Sequence, residues 1–162
     1  NRLRQSLKGP CFDRVTSIHC STERKATDAA AIIATHLELP HESHPGLGEN
    51  DRSSTGYLPR EEFERTADQF FAEPEKNVRG WARAIDEQSR IVGAVRRIAG
   101  NVGADGTTLI IAHGAVGALL MANLLDEPIS RSLDQPGDGG GNWFVLDGEA
   151  WTLHRGWRRI DP

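Results

Sequence analysis

Apolar positions along the chain switch between a strand-like and a helix-like period. In residues 12–20, Val15 and Ile18 sit among polar neighbours, which predicts a first strand. Ser21-Thr22-Glu23 then offers hydroxyl caps for a helix running to about residue 37. In it Ala26, Ala29, Ala30, Ile33 and Leu37 recur at three- and four-residue spacing, and Pro40 lies beyond its end. Residues 43–60 lose all periodicity and are rich in Gly, Ser, Pro and charge. They predict a long loop, and ordered loops of that length are usually functional. Pro59 followed by Glu61 and Glu62 starts a helix that carries Phe63, Ala67, Phe70 and Phe71. A further helix is expected over residues 81–98, carrying Trp81, Ala84, Ile85, Ile91, Val92 and Val95. The turn at residues 100–106 leads to a strand over residues 109–112. A helix of small and apolar residues over 116–125 follows and stops before Pro128. Residues 143–147 and 151–154 predict two short strands joined at Gly148, and residues 2–8 read as a helix tail stopped by Gly9-Pro10.

This alternation of strands with helices predicts an α/β sheet covered on both faces. At 162 residues the chain fits one domain with a core of its own. A formal charge of -4 argues against nucleic acid or an anionic membrane as partner. Yet all but three of the 19 basic residues are arginine, so a local anion site fits within an acidic protein. There is no apolar run of membrane-spanning length and no signal-peptide pattern. The two cysteines, Cys11 and Cys20, form neither a metal signature nor a disulfide framework, which together place the chain in the cytoplasm as an expectation.

The candidate chemistry begins at His113-Gly114. A β-branched run ends there and a helix begins, so His113 stands at the carboxyl end of a strand, where open α/β sheets hold ligands. The first helical amides beside it are ready for an anion, although a lone histidine at such a junction can equally be structural. Arg24 and Lys25 open another helix against its dipole. Either they are a solvated pair, or one of them reaches over the strand ends to a phosphate. Glu49, after the flexible Gly48 of the long loop, is a solvent-facing acid or a general acid that an adjoining anion keeps protonated. The glycine-rich residues 136–142 lack the spacing of a nucleotide loop, and residues 153–158 read as a surface tail or an oligomer contact.

Taken in order, these segments resemble the histidine phosphatase, or phosphoglycerate-mutase-like, superfamily in its phosphatase-like branch, over roughly residues 12–160. The strand ending at His113-Gly114 resembles that family's second catalytic histidine motif. Ser21-Thr22-Glu23-Arg24-Lys25-Ala26-Thr27-Asp28-Ala29-Ala30 is similar to its Ser-Pro-x-x-Arg-Ala-x-x-Thr-Ala segment, with Lys25 at the arginine position and Arg24 as a neighbouring substitute. Leu47-Gly48-Glu49 resembles the Leu-x-Glu segment that supplies a proton donor. Pro128-Ile129-Ser130-Arg131, Gly139-Gly140-Gly141-Asn142-Trp143-Phe144 and His154-Arg155-Gly156-Trp157 add to the likeness.

The resemblance implies a three-layer sandwich with a mostly parallel central sheet flanked by helices. It also implies a phosphomonoester hydrolase that works through a phosphohistidine. In this reading His113 and Glu49 are catalytic, and Ser21, Arg24, Lys25 and Gly114 hold phosphate. No metal or organic cofactor is implied, and the partner is a small phosphorylated molecule. Trp143, Trp151 and Trp157 would offer an apolar surface to a second copy of the chain. The family's first motif, Arg-His-Gly, does not occur in the sequence. It is expected upstream of residue 1, so the first, central strand is expected to be missing from the sheet. The alternative is a noncatalytic member that binds phosphorylated ligands or a protein partner.

Overall fold

The computed structural model describes residues 12, 14–103, 106–137 and 140–160. The expected helix tail at residues 2–8 and Cys11 lie outside the described residues, as do Asp138 and Gly139 of the glycine-rich segment. Strand β1 (Val15–Ser21) pairs in parallel with β2 (His41–His44) on one side and β3 (Thr107–Ile111) on the other. The sheet order is therefore β2-β1-β3. The expectation of a missing first strand is corrected here. A first strand is present and occupies the central place, because Val15, Ile18 and Cys20 give it an apolar face and both of its edges are paired. Among the described residues, β3 pairs with β1 alone, and its apolar residues Leu109, Ile110 and Ile111 stay only half-buried. Strand β2 also departs from expectation. It is a fully polar edge strand, His41-Glu42-Ser43-His44, at the point where the long loop was expected to begin.

Helix α1 (Arg24–Leu37) covers one face of the sheet. Ala26, Ala30 and Ile33 pack on Ile18 and Cys20, and Leu109 and Ile111 close the cluster. The alanines allow a close approach, and burial pushes the Cys20 thiol above its ordinary range. The helix stops at Glu38, whose backbone is left-handed at φ 55° before Pro40. On the opposite face lie α2 (Arg60–Ala72), α3 (Ala84–Ala99) and α4 (Gly114–Leu125), with Leu47, Phe70, Trp81, Ile91, Val95, Val116 and Leu119 at the centre. Helix α4 is buried over almost its whole length, since each residue from Val116 to Ala122 lacks solvent access. An unbroken run of Ala, Val, Gly, Leu and Met on a helix covered all round is what that position requires. This is the mostly parallel central sheet between helical layers that the resemblance implied.

Strands β4 (Asn142–Asp147) and β5 (Thr152–Arg159) form a separate antiparallel ribbon. Residues 153–158, expected as a tail, are thus strand, and one side of the ribbon faces α4. The Trp157 indole Nε1–H donates to the Leu133 carbonyl at 2.9 Å, and its ring meets Phe144 edge-on at 4.8 Å. Trp151 donates from Nε1 to Asn123 Oδ1 at 2.8 Å and lies under the Arg96 guanidinium, 4.0 Å from the ring centroid. Two of the three tryptophans expected to face a second copy are therefore engaged within the chain.

Gly117 is what lets the ribbon approach α4. A Cβ at this position would lie 2.9 Å from Trp157 Cη2, and that ring is pinned by both Phe144 and the Leu133 carbonyl. Gly117→Ala should gain up to about 1 kcal/mol in helix propensity and lose more to overpacking, for a net loss of about 1–2 kcal/mol. Urea denaturation checks this, and an unchanged or raised midpoint would show that the Trp157 contact is slack.

Candidate active site

Three elements meet at the N-terminus of α4. Strand β3 ends at Ile111, Ala112 and His113 continue in extended backbone, and His113 is the residue before the first helical turn, at φ -132° and ψ 167°. Strand β1 runs parallel to β3 and ends at Ser21, so the two carboxyl ends lie side by side. Ser21 Oγ and His113 Nε2 are 2.7 Å apart, and Ser21 is fully buried. Glu23, the residue before α1, folds back so that its amide donates to Ser21 Oγ at 3.2 Å. Its carboxylate lies 3.4 Å from His113 Nε2. The same oxygen, Oε1, accepts the Glu49 backbone N–H at 2.7 Å.

The side chain of Glu49 returns to the helix. Its Oε1 accepts the Val116 amide at 3.2 Å and its Oε2 accepts the Ala115 amide at 3.4 Å. A carboxylate thus stands where the sequence led us to expect an anion, on orphan amides at the positive end of a buried helix. Arg90 of α3 fixes the loop that carries it. The guanidinium donates to the carbonyls of Gly46 at 2.9 Å, Gly48 at 3.0 Å and Glu49 at 3.2 Å, and it pairs with Glu87. Gly46 fits beneath only because it has no side chain, since a Cβ there would lie 3.0 Å from Ala94 Cβ.

Of the residues expected at the site, the structure brings together His113, Gly114, Ser21 and Glu49. It does not bring Arg24, which is exposed and stands 3.7 Å from Asp28 one helical turn on. Lys25 is exposed in the same turn. Two contributors are additions to the sequence reading. Glu23 could have been suspected from its place two residues after Ser21. Arg90, spaced three residues from Glu87, reads as an ordinary surface pair until the fold buries Glu87 to 7% exposure.

Beside Glu49 and Gly114 a cleft of about 660 Å³ opens, with Asn50, Arg52, Phe63 and Gln135 among its walls. Asn50 is 5% exposed, and its side-chain Nδ2 has no hydrogen-bond partner, leaving a donor at the wall of the cleft. The Arg52 guanidinium stands 5.3 Å over Phe63 and 5.8 Å over Trp81. Arg131, in a segment that adds to the family likeness, binds Glu64 at 2.5 Å and Asp68 at 2.7 Å and so fastens that segment to α2.

A family model described as the histidine phosphatase superfamily (branch 1) matches residues 1–156. The chain belongs to that superfamily. No curated protein matches. Among solved structures, YhfR from Bacillus stearothermophilus is 25% identical with a TM-score of 0.73, covering 95% of this chain and 77% of its own. The mycobacterial glucosyl-3-phosphoglycerate phosphatase Rv2419c, solved with inorganic phosphate, is 20% identical with a TM-score of 0.73, covering 98% and 81%. A mycobacterial structure named hydrolase 2 is 19% identical with a TM-score of 0.69, covering 90% and 69%. The last two likenesses concern the fold.

Membership of the histidine phosphatase superfamily makes this a phosphatase-like protein and fits His113 at the head of α4. Among the described residues no helix is long and apolar enough to cross a membrane.

The loop that carries Glu49 rests on the Arg90 clamp, and that clamp is testable. Arg90→Ala removes three donors from the loop and leaves buried Glu87 unpaired, which should cost about 3 kcal/mol. Arg90→Met with Glu87→Leu should recover much of that stability while Gly48–Asn50 amide exchange stays fast. Protected loop amides in the double variant would overturn the clamp.

Proposed function

We propose that the protein hydrolyses phosphomonoesters through a phosphohistidine. The observation carrying this reading is the convergence of His113, Ser21 and two carboxylates on one helix N-terminus beside an open cleft. The reading requires the attacking histidine of an Arg-His-Gly motif, and residues 1–162 carry no such motif.

In this mechanism an imidazole nitrogen attacks phosphorus as the bond to the ester oxygen breaks. Glu49 is the acid that protonates the leaving alkoxide. Arrival of a phosphate at the α4 amides competes with the carboxylate for them, and the added negative charge favours the neutral carboxyl. His113, oriented by Ser21 and Glu23, donates to the equatorial oxygens as charge builds on them. Water then attacks phosphorus, its oxygen forming the new bond as the phosphorus–nitrogen bond breaks, and inorganic phosphate and the free histidine result. Ser21 and Gly114 line the phosphate position. The substrate is a small phosphorylated molecule.

A noncatalytic phospholigand-binding protein is the second reading. It is favoured by Lys25 at the position where the family pattern has arginine and by Arg24 lying beside Asp28.

Leaving-group dependence separates the readings in the protein carrying its upstream segment. Glu49→Gln should lower kcat about 10²-fold or more on alkyl phosphates, and far less on p-nitrophenyl phosphate, whose phenolate needs no proton. His113→Ala should lower both by about 10²-fold. Phosphate binding without turnover of any phosphomonoester would overturn the hydrolase and leave the binding protein.

A further inference from the structure

At the other side of β1, away from His113, three ligand-type side chains converge without a part in the mechanism above. His19 of β1 pairs in register with Glu42 of β2, and the next alternate residue of β2 on that face is His44. His41 falls on the opposite face by the same alternation. His19 Nδ1 and His44 Nε2 are 2.8 Å apart, and Glu42 Oε2 lies 3.9 Å from the first and 3.8 Å from the second. The two rings stand with centroids 5.0 Å apart and tilted by 38°, so their nitrogens point at each other rather than stacking. His19 is 16% exposed and His44 34%, while Glu42 is open to solvent at 73%.

We propose that His19, Glu42 and His44 form a binding site for a divalent first-row transition ion, with zinc as the best match. Two imidazoles and one carboxylate are a recurrent donor set for such ions, and they leave positions open for water. Tetrahedral bonds of about 2.0–2.1 Å place neighbouring donor atoms about 3.3 Å apart. The distances here of 2.8, 3.8 and 3.9 Å bracket that value, so a small parting of the rings and an inward swing of exposed Glu42 complete the triangle. Two of the ligands come from β2, a four-residue edge strand, and the third from the central strand. An ion here would therefore staple the edge of the sheet. Ser21 is the in-register partner of His44, so the staple lies one ladder step from the residue that orients His113. The site stands independently of the phosphatase reading.

Calorimetric titration of tag-free, chelator-stripped protein with Zn²⁺ tests the proposal, with Co²⁺ absorption as a report on coordination. Wild type should take up one equivalent that His44→Ala loses, and zinc should raise its Tm. Glu42→Gln changes an exposed side chain and leaves the strands intact, and it should weaken zinc about tenfold or more and diminish the Tm rise. Wild type binding no more zinc than the triple variant of all three residues would overturn the site. So would unchanged affinity in Glu42→Gln, because the carboxylate would then be no ligand. Circular dichroism of each variant separates lost ligands from a lost fold.

Discussion

The amides at the head of α4 are the constraint around which the site is arranged. The first N–H groups of a helix have no partner within it, and those of α4 lead into a segment buried from Val116 onward. Glu49 meets those of Ala115 and Val116, and this single cap draws a distant loop across the carboxyl ends of the strands. The loop in turn has carbonyls that need donors, which Arg90 supplies from α3. Arg90 brings Glu87 inward as its counter-charge. Glu23 closes the circuit from the β1 side by accepting the Glu49 amide. The chemistry of His113 is therefore set by satisfaction of backbone groups that have no chemical role themselves.

That dependence also explains what could be read along the chain. Helices α1, α2 and α4 were legible because each carries a strong local signal: alanines at helical spacing, a proline with acids behind it, and an unbroken apolar run. The meeting of His113, Gly114 and Ser21 was legible because both strands end where the apolar pattern ends. β2 was not, since His41-Glu42-Ser43-His44 has no apolar face and is a strand only by pairing with β1. An edge strand needs only one ladder, and polar side chains keep its other edge in water. Arg24 was weighed as a phosphate ligand because it opens the helix against its dipole beside Lys25, which stands at the family's arginine position. A helix rotates by about 100° per residue, so neighbours in sequence look in different directions. Arg90 was invisible for the opposite reason, its partners at Gly46, Gly48 and Glu49 being some forty residues away.

The ribbon of β4 and β5 shows the same economy on the far flank of α4. Gly117 is small because Trp157 occupies the space its side chain would fill, and Trp157 is held in turn by Phe144 and the Leu133 carbonyl. Leu133 follows Arg131, whose ion pairs with Glu64 and Asp68 fasten the segment to α2. A buried glycine of α4 is thus connected through one indole to the wall of the cleft. Small residues in α4 serve packing on both sides, against the sheet and against the ribbon.

The half-buried state of β3 completes the physical picture. A parallel strand flanked on both sides normally reads as a continuous apolar run and is covered accordingly. Leu109, Ile110 and Ile111 have that composition, yet they are less covered than Ile18 and Cys20 of the neighbouring strand. Their sequence is suited to an interior position, while among the described residues their outer edge has no ladder. Pairing and burial go together here, as Ile18 and Cys20 show by being covered in the strand that is laddered on both sides.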